Sequence, residues 1–124
     1  MHSTGSPDEE NHPYSLVRVV DGIGWCAGVL PYGPDGEIVR EPEAAIDAAL
    51  RLLGERLEEA GASLEDVVKV TVFLSDIEWR PQLDAAWLRT WKAPRPARTA
   101  LQVARLPRDA GIEIEAVVHR ASDS

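Results

Sequence analysis

Val67–Leu74 (Val-Val-Lys-Val-Thr-Val-Phe-Leu) restricts the fold more than any other segment of the chain. It is rich in β-branched residues and mostly apolar, which suits a pleated, extended backbone better than a helix. A strand with apolar side chains pointing both ways belongs inside a sheet, covered on both faces. The chain must therefore supply neighbouring strands. Ser15–Val20 and Ile23–Leu30 read as two of them, joined at Asp21-Gly22, a dipeptide favoured in tight hairpin turns. Thr99–Leu106 and Ile112–His119 read as the last two, turned by Pro107-Arg-Asp-Ala-Gly111. In the final strand Ile112, Ile114, Ala116 and Val118 share one face, and Glu113, Glu115, Val117 and His119 share the other.

Two helices separate these strands. Glu43–Ala60 is entered by Pro42 and closed by Gly61, and Ile46, Ala49, Leu50, Leu53, Leu57 and Ala60 form its apolar stripe. Gly54 inside it costs up to about 1 kcal/mol against Ala, which a close approach by another backbone would explain. The second helix, about Pro81–Trp91, aligns Leu83, Trp87 and Trp91 at four-residue spacing as core residues. Ser63 and Asp66 fit an N-cap pattern, and Asp76 a turn or cap. The order strand, strand, helix, strand, helix, strand, strand predicts an α+β sandwich, a mixed β-sheet with two helices on one face. Two helices cannot cover both faces of such a sheet. The other face is solvated or buried against partners, and apolar Val117 among its charges favours an oligomer.

The chain has 124 residues and a net charge of −8, enough for one domain, placed at 13–120. Residues 1–12 are polar, acidic and aperiodic, as a disordered tail is. The acidic balance and the lack of any basic run argue against RNA or DNA as partner. Cys26, the one cysteine, excludes an internal disulfide and reads as a buried, inert thiol in a reducing compartment. No signal peptide and no bilayer-spanning run is visible, so no membrane is implied and a cytoplasmic location is expected. His2, His12 and His119 show no metal-ligand spacing. No metal and no cofactor are expected. Trp25 precedes the Ala27–Pro31 stretch and is a candidate cleft residue.

Catalytic-looking groups are few. Arg98 follows the Pro-stiffened Lys92-Ala93-Pro94-Arg95-Pro96 loop, and its planar fork suits bidentate grip on a carboxylate. A nearby glutamate of the neighbouring Ile112-Glu113-Ile114-Glu115-Ala116 segment can position or deprotonate a water. The plain alternative is a strand-end arginine and a glutamate on a solvated strand face.

Several spaced motifs add to this. Pro96–Ala116 (Pro-Ala-Arg-Thr-Ala-Leu-Gln-Val-Ala-Arg-Leu-Pro-Arg-Asp-Ala-Gly-Ile-Glu-Ile-Glu-Ala), Gly61–Asp76, His12-Pro13-Tyr14-Ser15 and Gly28-Val29-Leu30-Pro31 together resemble the RidA (YjgF) family, from about Pro13 to His119. The resemblance implies a chorismate-mutase-like fold assembled as a homotrimer, with sites in the clefts between subunits. It implies hydrolysis of reactive enamines and imines, such as 2-aminoacrylate and 2-imino acids, to 2-keto acids and ammonia. Arg98 would bind the substrate carboxylate, Glu113 would order the attacking water, and Tyr14 would close one side of the pocket. The family strand commonly reads Ser-Gly-Gln-Ile-Pro. Here Ala27-Gly28-Val29-Leu30-Pro31 replaces a hydroxyl and an amide with apolar groups, and Ala100 stands where many deaminases carry cysteine. The resemblance therefore leaves two further readings open: a non-catalytic or pathway-specialised binder of a carboxylate metabolite, and a ribonuclease or translation inhibitor.

Overall fold

The computed structural model describes residues 12–120. The expected tail therefore lies outside the described residues except for His12. Five strands form a single mixed sheet: β1 (Val17–Val20), β2 (Ile23–Val29), β3 (Val67–Leu74), β4 (Ala97–Gln102) and β5 (Ile112–His119), in the order β1-β2-β5-β3-β4. Only the β3–β4 pair is parallel. The β1–β2 turn has Asp21 at φ 51° and Gly22 at φ 79°, both left-handed, the geometry a two-residue primed turn needs. A side chain at Gly22 would also press on the Arg120 carbonyl oxygen, 2.8 Å from its Cβ position.

Two helices, α1 (Pro42–Glu59) and α2 (Arg80–Thr90), pack on one face of the sheet. The Glu41 carboxylate caps α1 by accepting from the Glu43 and Ala44 N–H groups at 2.9 and 3.1 Å. From α1, Ile46, Ala49, Leu50, Leu53 and Leu57 are buried; from α2 and its end, Leu83, Ala86, Trp87 and Trp91 join them. Trp91 satisfies its buried indole by donating from Nε1 to the Leu64 carbonyl at 2.8 Å. Asp76 caps a short 3-10 turn by accepting from Glu78 N–H at 2.9 Å, and Asp66 accepts from Ser63 N–H at 3.0 Å. Cys26 is buried, and burial pushes its thiol up to about 11.

Three local expectations are corrected. β4 ends at Gln102, short of Leu106, because it is an edge strand whose one partner, β3, ends at Leu74 opposite it. Gly54 meets the Leu64 side chain, 3.4 Å from a Cβ built there, and no backbone. β3 has helix cover on one face only: Val70, Val72 and Leu74 are buried against the helices, while Lys69, Thr71 and Phe73 are half-buried on the other.

Candidate active site

The uncovered face is built largely by β5 and its neighbours. Glu113 pairs with Phe73 and Glu115 with Thr71, so both carboxylates point away from the helices. Opposite them β2 carries a bulge: Cys26 pairs with Ala116 and Val29 with Ile114, leaving Ala27 and Gly28 to face one residue of β5. Bulges of this kind re-aim side chains. Here the extra residue lets the Glu113 side chain lie across Gly28. A Cβ at Gly28 would fall on the Glu113 carboxylate, with the carboxyl carbon at 2.8 Å and Cγ at 3.2 Å. Burial, and secondarily the Glu115 charge, push the Glu113 carboxyl above its usual range.

Two grooves open on this face, and Glu113 lines the smaller. The smaller, about 320 Å³, is lined by Gly28, Phe73, Val103, Arg105, Glu113 and Glu115 among others. Its rim is the β4–β5 turn, where Arg108 (φ 57°) and Asp109 (φ 54°) adopt left-handed backbone. Arg40 pins that turn by donating to the Asp109 and Arg108 carbonyls at 2.9 and 3.2 Å. Arg105 is bonded to Asp109 at 2.7 Å. The larger groove, about 470 Å³, holds Arg18, Trp25, Ala27, Lys69, Thr71 and Glu115 among its walls. Trp25, 47% exposed, thus contributes to a cleft on the open face.

Arg98 is elsewhere. It pairs with Val70, whose side chain is buried against the helices, so Arg98 points to the helix side of the sheet. Its guanidinium lies 5.0 Å from the centre of the Trp87 ring, and Nη2 donates to Asp84 Oδ1 at 2.7 Å. Ala100, two residues on, shares that side, opposite Val72. The Trp87 indole N–H is buried with no partner among the described residues.

Of the expected site residues, the structure joins Ala27, Gly28 and Glu113 on the open face, and Arg98 with Ala100 on the other. It does not bring Arg98 and Glu113 together in one chain. β3 separates their strands, the register offsets them by three residues, and alternation puts them on opposite faces. Tyr14 is exposed ahead of β1, its ring edge-on to His12 at 4.5 Å between centroids. Val29 is a correction: the bulge turns its side chain into the core opposite Ile114, fully buried, where no ligand on the open face reaches it. Asp84, Trp87 as a platform, Arg105 and Glu115 escaped the sequence reading. The three-residue spacing of Asp84 and Trp87 on α2 was the one available signal. Among the described residues no group of three or more His, Cys, Asp or Glu is placed to hold a metal ion.

A five-stranded β1-β2-β5-β3-β4 sheet backed by two helices, with carboxylates on its uncovered face, defines an α+β class with known members. The Endoribonuclease L-PSP family matches residues 6–120. The chain belongs to this family, the RidA (YjgF) family. A RutC family protein of Pyrococcus abyssi is 38% identical over 110 residues, covering 87% of each chain. The human 2-iminobutanoate/2-iminopropanoate deaminase is 37% identical over 107 residues, 85% of this chain and 78% of that protein. The crystal structure of RidA from an Antarctic Psychrobacter superposes with a TM-score of 0.83 at 31% identity, covering 88% of this chain and 89% of that one.

Proposed function

We propose that the protein hydrolyses 2-imino acids and their enamine tautomers to 2-keto acids and ammonia without a cofactor. The observation that carries this is Glu113, a half-buried carboxylate with a raised pKa cradled over Gly28, in a chain 37% identical to a protein named as such a deaminase. An iminium carbon is already electrophilic, so the protein needs chiefly to hold the carboxylate and deliver a water. Arg98 anchors the carboxylate. Glu113 takes one proton from water as its oxygen bonds to C2 of the protonated imine, giving a carbinolamine, and returns that proton to nitrogen as the C–N bond breaks. The remaining hydroxyl proton passes to Glu113 and on to solvent as the C=O bond forms. The products are ammonia and the 2-keto acid. A carboxyl held above its usual range is better matched to this two-way transfer near neutral pH.

Because Arg98 and Glu113 lie on opposite faces, one small substrate touches both only if two copies meet. This supports a homo-oligomer, a homotrimer by family resemblance, whose clefts take Arg98 from one copy and Glu113 from the next. A ribonuclease role has less support. The net charge is −8, and Arg51, Arg89, Arg98 and Arg105 are each paired with a carboxylate, which suits a polyanion poorly. No helix among the described residues is long and apolar enough to cross a membrane.

The test is ammonia and keto-acid release from imino acids generated in place by an amino-acid oxidase with catalase. Glu113→Gln should lower kcat by about 10²–10⁴-fold, the usual worth of a general base. Arg98→Ala should lower kcat/KM by about 10–100-fold, the loss of a charged hydrogen-bonded anchor. Wild-type turnover in either variant would sink the assignment. Tight 2-keto acid binding with no ammonia release would make the protein a ligand-binding relative instead.

A further inference from the structure

We propose that Asp84 makes the Arg98 end of the site selective for ligands with a positive charge beside their carboxylate, and so separates imine substrate from keto-acid product. The inference rests on Arg98 being the carboxylate anchor. Arg98 is held firmly: its side chain is 18% exposed, its guanidinium over the Trp87 indole at 5.0 Å from the ring centre, with one corner bonded to Asp84 at 2.7 Å. Asp84 projects from α2 with its side chain 56% exposed, at the rim of the same guanidinium. That single bond occupies Nη2 and Oδ1 and leaves the other edge of the guanidinium and Asp84 Oδ2 outside the pair.

A ligand bearing only a carboxylate meets Asp84 as a like charge competing for the same fork, which is unfavourable at close range. A protonated imine or an ammonium attached to the carbon beside the carboxylate reverses the sign of that encounter. Its carboxylate lies on Arg98 and its nitrogen on Asp84, so positive and negative charges alternate around the site. Hydrolysis removes the cation, since nitrogen leaves and a neutral carbonyl remains. The product then faces Asp84 with its carboxylate alone. Asp84 holds the substrate and disfavours the product through one group, the use of repulsion as well as attraction that specificity requires. The indole beneath keeps the fork from swinging away.

Calorimetric titration of the purified assembly with 2-aminobutyrate (carboxylate plus ammonium) and 2-oxobutyrate (carboxylate alone) tests this. The proteins are wild type, Asp84→Asn and Arg98→Ala. Asn keeps the size and the hydrogen bond to Arg98 while removing the charge. In Asp84→Asn, 2-aminobutyrate should bind about 5-fold more weakly and 2-oxobutyrate about 5-fold more tightly, the scale of one partly exposed ion pair. Product inhibition by 2-oxobutyrate should strengthen in parallel. Unchanged affinities, or equal shifts for both ligands, would overturn the role of Asp84 while leaving Arg98 as anchor. Arg98→Ala should lose both ligands. If that variant keeps both, the anchor assignment itself fails, whatever Asp84→Asn does. Binding of neither ligand by wild type overturns both readings.

Discussion

The two faces of β5 are one strand with two different tasks. On the helix side Ile112, Ile114, Ala116 and Val118 are buried within the core. On the other side Glu113, Glu115, Val117 and His119 alternate with them, and none is buried. Apolar surface removed from water contributes about 25 cal/mol per Å², so the helix side carries the stability of the chain. The open side holds a carboxylate of raised pKa, a bulge and an exposed tryptophan, none of them part of the core. Arg98 complicates a simple division into structure and function. It lies on the helix side at the free edge of β4, packed on Trp87 and charge-paired, whereas Glu113 faces outward with a nearby like charge. The two groups are prepared differently: one is fixed in place, the other is tuned in proton affinity.

The largest effect should come from the helix side. Ile114→Ala removes a fully buried side chain between α1 and the sheet and should cost about 2–5 kcal/mol in urea unfolding. Glu115→Ala, one residue on and facing outward, should stay within about 0.5 kcal/mol. Similar costs for the two would break the comparison, because the faces would then share the stability.

How much of this was legible in the sequence depended on range. The helices, the Asp21-Gly22 turn, the Ile112–His119 strand and the core placement of Trp87 and Trp91 follow from spacings of a few residues, and the structure has them. The strand order is a long-range property. Nothing local says that β5 inserts between β2 and β3 and so separates Arg98 from Glu113. β4 gave no guide to its faces either, since Ala97-Arg98-Thr99-Ala100-Leu101-Gln102 lacks a clean apolar alternation and its exposure is uneven. Asp84 was invisible as a partner because it meets Arg98 across a helix–strand contact fourteen positions apart. Val29 was misread because a bulge shifts the pairing by one residue, and in a strand one residue changes the face.

A smaller but sharper test concerns what covers the open face. Trp25 stands on it, 47% exposed, opposite Val117. If a second copy buries this patch, Trp25→Glu should weaken association by about 2 kcal/mol or more, the loss typical of a central interface aromatic. Light scattering across a dilution series should then show a smaller species with unchanged circular dichroism. Turnover should fall in proportion to dissociation if, as proposed, the cleft takes Arg98 from one copy and Glu113 from another. A variant that keeps its mass and activity would place the contact elsewhere on the molecule.

The smallest expected effect is a shift in pH dependence. Burial first and the Glu115 charge second raise the Glu113 pKa above its ordinary value of 4.5. If its ionised form is the base, as proposed, kcat/KM should rise with pH through an acid limb centred above 4.5. Glu115→Gln removes the secondary cause and should move that limb toward lower pH without abolishing it, since burial remains. Glu113→Gln should erase it. Stability runs the other way. A carboxyl whose folded pKa is raised binds its proton more tightly when folded, so its contribution is present below pH 4.5 and is lost as pH rises through the folded value. Glu113→Gln should therefore flatten a decline in stability across the same interval where it removes the acid limb of activity. An acid limb unmoved by Glu115→Gln and still present in Glu113→Gln would assign the titration to a different group and leave the open face without its proposed base.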